Sequence, residues 1–279
     1  MADTAAKKTS GTVTLTPLHP KFGARVSGID LRIAPNPLEA QDIRTLLVKH
    51  KVLIFENQEV DDEQLLAFAQ AFGTPDTYPV GRDKRSPVLA IHSGPDQQIT
   101  STNHWHSDTS GWEKPCFAVL LHAREVPEVG GDTLFADMVL AHEGLPEEVK
   151  SRIAYLSAVH DESGLSQYVS DAARRMLART YPPVEHPIVR THPETGEKIL
   201  FVNKLLTAAI KGLPEEESKA LLEFLCAQAS VPEYKIRHRW RKNEVAFWDN
   251  RSTQHYASND YWPAVRKMSR ISIGGDRPF

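Results

Sequence analysis

Short stretches of period-two alternation dominate the chain, and helical periodicity is confined to a few segments. Val13 to Leu15 and Ala24 to Leu31 read as strands, with Pro17, Pro20 and Gly23 turning the chain between them. Leu38, Ile43, Leu46 and Leu47 fall at helical spacing within 37–50, and Lys51 to Phe55 follows as a buried strand. Asp61, Asp62 and Glu63 open a second helix with acidic groups in its first turn. Its apolar face is Leu65, Leu66, Phe68, Ala69 and Phe72, and Gly73 stops it. The stretch 74–85 reads as loop.

Strand signals then recur at Val88 to His92, Phe117 to His122 and Thr133 to Phe135, and further along at Ile188 to Thr191 and Ile199 to Val202. Between the last two, His192 to Gly196 reads as a hairpin loop. Helical signals cover 146–156 and 164–179. The clearest is 213–230, where Pro214 and three glutamates precede an apolar face of Leu221, Leu222, Phe224, Leu225 and Ala229. Strands return at 234–240, 244–248 and 268–273. Many short strands, few helices and no βαβ rhythm predict a mainly β fold with helical insertions (α+β), a sandwich or jelly roll. No dinucleotide, P-loop or serine-hydrolase signature is present.

Composition narrows the function classes. At 279 residues, 41% hydrophobic and 25% charged, the chain has an ordinary globular balance, and we expect one domain over 13–279 after a flexible tail at 1–12. A net charge of −3 gives no basic field, so no nucleic-acid partner is expected. No apolar run is long enough to span a membrane, and no signal-peptide core is visible, so no membrane association is expected. Cys116 and Cys226 sit in apolar runs and read as small buried hydrophobes, which makes a reducing cytoplasm the expected location.

The chemistry centres on Asn103-His104-Trp105-His106-Ser107-Asp108. In an extended strand, His106 and Asp108 point to one side about 7 Å apart, so an imidazole and a carboxylate could share one metal ion. Taken alone, such a pair reads as an ordinary hydrogen-bonded contact. A third candidate ligand is His255, in the segment after the apolar strand 245–248. Two histidines and a carboxylate on one face of an octahedron form the facial triad associated with non-haem Fe(II) oxygenases. His104 could instead pair with His106, as in cupin-type sites, but no glutamate follows at the spacing that would complete that set. An oxygenase of this type needs two electrons, which a chelating 2-oxo acid can supply if a fixed cation holds its distal carboxylate. Arg266 and Arg270, four apart on the last strand, share a face of an otherwise apolar segment and need a carboxylate to pair with.

With these residues in place, the chain resembles the Fe(II)/2-oxoglutarate-dependent dioxygenases of the taurine dioxygenase group, which includes alkylsulfatases and aryloxyalkanoate dioxygenases. The resemblance runs from about Val13 to Phe279. It rests on Trp105-His106-Ser107-Asp108, Gly130-Gly131-Asp132-Thr133-Leu134, His192-Pro193-Glu194-Thr195-Gly196, Leu200-Phe201-Val202-Asn203 and Trp248-Asp249-Asn250-Arg251 with Gln254-His255. It implies a double-stranded β-helix core, with Fe(II) bound by His106, Asp108 and His255 as the catalytic centre. It implies that Thr133 and Arg266 hold the distal carboxylate of 2-oxoglutarate, while Arg270 faces the C1 carboxylate and the anionic group of the substrate. Partners would be O2, 2-oxoglutarate and a small anionic substrate such as a sulfonate, sulfate ester or aryloxyalkanoate, with succinate and CO2 released. The family often forms dimers or tetramers, so a homo-oligomer is expected.

Three positions depart from the taurine pattern. Tyr78 stands where a sulfonate-binding histidine is expected, Leu206 replaces an aromatic residue, and Gly111 replaces a bulky one. All three are candidate substrate-binding positions, and together they argue for a differently shaped pocket. Two other readings compete: a non-catalytic jelly-roll protein that binds a small anion, and a metal-dependent hydrolase.

Overall fold

β1 (Ser10–Pro17) pairs antiparallel with β2 (Ala24–Ile29), and α1 (Pro37–His50) then carries the chain to β3 (Val52–Phe55), parallel to β2. β1 starts before Val13, where the alternation places it. The computed structural model describes residues 10–77, 86–96, 102–165, 168 and 170–279. α1 begins at the predicted position because Asn36 caps it: the Asn36 side chain accepts the N–H groups of Leu38 and Glu39, and Glu39 accepts the Asn36 N–H in return. Asp61 and Gln64 form the same reciprocal cap on α2 (Asp62–Gln70).

The strands that follow are β4 (Leu89–Ser93), β5 (Ala118–Glu125) and β6 (Thr133–Asp137), and α3 (Met138–Glu143) and α4 (Glu147–Ile153) come next. β7 (Ser157–His160), α5 (Asp171–Thr180), β8 (Val184–Pro187), β9 (Val189–Thr191), β10 (Lys198–Leu200) and β11 (Thr207–Ile210) make the middle of the chain. α6 (Glu215–Ala227), β12 (Lys235–His238), β13 (Val245–Asp249), β14 (Thr253–Ala257) and β15 (Arg266–Ile273) complete it. One seven-stranded sheet runs β1-β2-β3-β13-β5-β15-β4, and a three-stranded sheet, β12-β6-β14, faces it. Phe135 of β6 meets Trp248 of β13 across the gap, ring centroids 5.4 Å apart. The two sheets are the walls of a double-stranded β-helix.

Strand parity decides what each wall buries. On β3, β5 and β13, Leu53, Phe55, Ala118, Leu120, Val245 and Phe247 pack under α1 and α2. Their alternates Val52, Ile54, Val119, Leu121, Ala246 and Trp248 fill the interior between the sheets. Central strands buried on both faces therefore lose the polar alternation that marks a surface strand. On β15, Ile271 and Ile273 belong to the first core and Met268 to the second. By the same parity Arg266 and Arg270 stand on Met268's side, facing the interior. A third core joins α3 and α6 to the smaller sheets.

The sequence reading missed α3, β7, β8, β11 and β14. Each is at most six residues long, too short for a period to show. The helical signal over 164–179 divides into a 3-10 turn at Glu162–Leu165 and α5, which Ser170 caps by accepting the Ala173 N–H. The single βαβ unit, β2-α1-β3, sits at one end of the large sheet.

Candidate metal centre

His106 and His255 face each other as an isolated antiparallel bridge, exchanging backbone bonds of 3.1 and 2.9 Å. Their rings lie 4.1 Å apart between centroids. The extended strand expected from His106 to Asp108 is not what brings the third group in. Residues 108–111 form a turn, and Thr109 takes a left-handed φ of 56°. Asn250 braces that turn: its side-chain oxygen accepts the Asp108 N–H at 2.9 Å, and its amide donates to the Asp108 carbonyl at 2.9 Å. The carboxylate is thereby folded back, with Oδ1 3.6 Å from His106 Nε2 and Oδ2 3.8 Å from His255 Nε2.

The three donors fit a divalent ion. One ligand atom from each lies within 4.8 Å of the others, and all three residues are buried. Asp108 Oδ2 has no hydrogen-bond partner in the protein. Burial opposes ionisation of Asp108, but its charged surroundings, Arg270 foremost, override it and hold the carboxyl below its ordinary range. Burial pushes both imidazoles down, His255 to about 3, so both are neutral. His106 donates from Nδ1 to the His104 carbonyl at 2.7 Å, which leaves the Nε2 lone pair bare toward the centre. His104 itself lends only that carbonyl; its ring shares a 2.6 Å hydrogen bond with the Tyr168 hydroxyl.

An ionic brace runs from the buried Asp249, His192 and Arg251 out to the partly exposed Glu194 and Arg44. Asp249 accepts from His192 Nε2 at 3.0 Å and from Arg251 at 2.6 Å, Arg251 reaches Glu194 at 2.7 Å, and Glu194 pairs with Arg44 at 2.9 Å. The hairpin loop 192–196 and the segment 248–251, far apart in sequence, thus form one structural unit.

The co-substrate candidates are placed as follows. Arg266 is 6% exposed, and its Nε and Nη2 have no partner. Burial lowers its pKa, with Tyr261 opposing. Gly131, at φ +70°, allows its stem to pass, because a Cβ there would lie 3.3 Å from Arg266 Cδ and 3.2 Å from the Tyr261 ring. Thr133 is buried on β6 and accepts the Trp240 indole N–H at 2.9 Å. Arg270 pairs with Asp108 Oδ1 at 3.2 Å and donates to Ser272 at 3.2 Å.

Of the three departing positions, Tyr78 lies outside the described residues. Leu206 is buried, its N–H on Asn203 and its carbonyl accepting the Asp161 N–H. Gly111 is small because Glu162 lies against it: a Cβ there would meet Glu162 Oε1 at 2.8 Å. Burial pushes the Glu162 carboxyl up to about 7, with Asp161 and Asp108 adding to the rise and a hydrogen bond from Trp112 opposing it. Trp112 in turn stacks on Tyr181 at 4.1 Å. Asp76, pushed up to about 6 by burial and drawn back by Arg270, completes this surround. Sequence reasoning passed over Glu162, Trp240 and Asp76, none of which sits in a motif of its own. Cys226, expected to be buried, is only partly so.

Comparison with known proteins agrees with this geometry. The family model described as taurine catabolism dioxygenase TauD, TfdA family matches residues 14–272. An alkylsulfatase from Acinetobacter baylyi is 33% identical over 94% of this chain and 85% of its own length. An alpha-ketoglutarate-dependent 2,4-dichlorophenoxyacetate dioxygenase from Cupriavidus pinatubonensis is 32% identical over 95% of this chain and 98% of its own. Among solved structures, AAD-2 in complex with Mn(II) and N-oxalylglycine superimposes with a TM-score of 0.81 at 30% identity, covering 96% of this chain and 99% of that one.

Proposed function

This chain belongs to the taurine catabolism dioxygenase TauD, TfdA family, and from that premise we propose which residues run its reaction and what substrate class they serve. It is an Fe(II)- and 2-oxoglutarate (alpha-ketoglutarate)-dependent dioxygenase. His106, Asp108 and His255 hold the iron. The convergence of two neutral imidazoles and a buried, unpartnered carboxylate oxygen on one point carries that assignment.

Iron(II) held there supplies the redox chemistry by which O2 is activated while 2-oxoglutarate leaves as succinate and CO2. The His104 carbonyl keeps His106 in the tautomer that offers Nε2. Arg270 neutralises Asp108 from the side and presents guanidinium to an incoming carboxylate or substrate anion. Arg266 and Thr133, both buried, bind the distal carboxylate of 2-oxoglutarate.

The substrate is a small organic anion: a sulfate ester, sulfonate or aryloxyalkanoate. Hydroxylation of the carbon next to a sulfate or ether oxygen gives a product that falls apart into a carbonyl compound and the released anion. A panel of these classes, scored by substrate-dependent succinate release, tests the class. Anaerobic addition of Fe(II) and 2-oxoglutarate should give a weak visible charge-transfer band. A folded protein that shows no band, or activity that continues without O2, overturns the assignment.

The remaining expectations follow from composition. A cytoplasmic location suits the two unpaired cysteines, and among the described residues no helix is long and apolar enough to cross a membrane. Light scattering would test the expected dimer or tetramer.

A further inference from the structure

Thr133 has one hydroxyl proton to give and two lone pairs to offer. One lone pair is taken, because Trp240 Nε1 donates to Thr133 Oγ1 at 2.9 Å in a buried pair. An indole N–H can only donate, so this contact has a fixed direction. The Thr133 proton must therefore point elsewhere, and among the described residues no acceptor takes it. The nearby Arg266 also offers donors without acceptors, at Nε and Nη2. Trp240 has little freedom to turn away. It is 5% exposed, packs in the interior core with Phe22, Phe135 and Trp248, and its ring meets His238 edge-on at 4.6 Å. His238 lies directly opposite Thr133 in the β12-β6 register, so the strand pairing delivers the segment just after β12, with Trp240, to Thr133.

We propose that Trp240 is a positioning residue for 2-oxoglutarate: by occupying a lone pair of Thr133, its indole N–H makes the hydroxyl a committed donor to the distal carboxylate beside Arg266. This rests on the reading that Thr133 and Arg266 hold that carboxylate. A hydroxyl free to rotate would spend part of its time presenting a lone pair to the anion. The indole removes that orientation before the co-substrate arrives, which is preorganisation. No motif marks Trp240, because its contribution depends on a neighbour 107 residues away.

The test is equilibrium binding of 2-oxoglutarate to the Mn(II)-loaded full chain by calorimetry, which needs no turnover and no identified substrate. Four proteins form a cycle: wild type, Trp240→Phe, Thr133→Val and the double variant. Trp240→Phe should weaken binding about three- to tenfold, the size of one neutral hydrogen bond. In the Thr133→Val background the same change should add less than about twofold, because the group it acts through is gone. Mn(II) affinity should not move in any of the four. Site-specific replacement of Trp240 by 3-benzothienylalanine keeps the ring and removes only the N–H, so it separates the hydrogen bond from packing if Phe perturbs the fold. It should reproduce the Phe effect. If both Trp240 variants bind like wild type while Thr133→Val does not, the inference fails and the co-substrate reading stands. Equal weakening by Trp240→Phe in both backgrounds also overturns it, since the indole would then act by packing. If Thr133→Val and Arg266→Gln bind 2-oxoglutarate as wild type does, the underlying reading fails and takes the inference with it.

Discussion

Arg266→Met should weaken 2-oxoglutarate binding and stabilise the empty protein, two effects of opposite sign from one side chain. The guanidinium is 6% exposed with Nε and Nη2 unpartnered, so the ligand-free fold buries a cation that no described residue pairs. Two charge-assisted bonds to a carboxylate contribute about 1.5–3 kcal/mol each. Losing both amounts to about 3–6 kcal/mol, or roughly 10²- to 10⁴-fold in affinity. In the absence of ligand, methionine fills the channel past Gly131 without desolvating a charge, and replacing buried ion pairs by packed apolar residues stabilises by about 1–4 kcal/mol, so a gain of about 1 kcal/mol or more is expected here. For a domain of this size, each kcal/mol raises the melting temperature by about 2–4 °C. Calorimetric titration of the Mn(II)-loaded protein reads the first effect, and thermal denaturation without metal or 2-oxoglutarate reads the second. A variant that melts several degrees lower without ligand and binds 2-oxoglutarate normally would refute the reasoning, because Arg266 would then be a structural cation.

His106→Ala and Asp108→Ala should each abolish Mn(II) binding and substrate-dependent succinate formation; turnover persisting in both removes the metal assignment. Gly111→Ala should cost about 1 kcal/mol, the lower end for overpacking, through its clash with Glu162 Oε1, and clearly less in a Glu162→Ala background. Strictly additive melting shifts would show that the two do not touch. At Gly164, a Cβ would lie 1.7 Å from the Leu205 carbonyl oxygen, so Gly164→Ala should lower stability by more than Gly111→Ala does, measured by urea denaturation. Burial pushes His160 down to about 3 and His186 to about 4, so the folded protein binds fewer protons than the unfolded chain, and their stabilisation is complete above about pH 6.5 and lost as pH falls. Asp76 and Glu162, with raised values, act in the opposite sense. The informative quantity is therefore a difference between proteins: His160→Phe should flatten the loss between pH 6.5 and 5 by about 1 kcal/mol per pH unit. Parallel stability profiles would contradict a buried neutral imidazole.

How much was legible in the sequence follows from the range of the interactions. α1 and α2 carry their own capping boxes within three residues, so local chemistry alone announces them. The shared face of Arg266 and Arg270 is a two-residue period and could be read directly. His106 and Asp108 were identified through strand parity, yet the chain is not extended there. The turn that aims the carboxylate depends on Thr109 in a left-handed conformation and on Asn250, 142 residues away. The structure brings the candidate pair together, by a local geometry other than the one the parity argument supposed. Glu162 was invisible for a related reason. Its effect on Gly111 is a steric exclusion across the pocket wall, and a glycine in isolation does not say what fills the space its side chain vacates.

The placement of unsatisfied groups separates stability from function within one sheet. Asp249 and Arg251 are as buried as anything in the fold, and every charge between them and His192 and Glu194 is paired. Breaking that brace would strand a buried charge, which costs about 3–5 kcal/mol. Asp108 Oδ2 and Arg266 Nε and Nη2 are comparably buried and, among the described residues, have no hydrogen-bond partner. On the proposed reading, an ion at Asp108 and a dicarboxylate at Arg266 would complete these groups, so the ligand-free protein should be less stable than the liganded one. Binding should recover the difference, which is why the ligand-free Arg266→Met protein is expected to outlast the wild type while being unable to use its co-substrate.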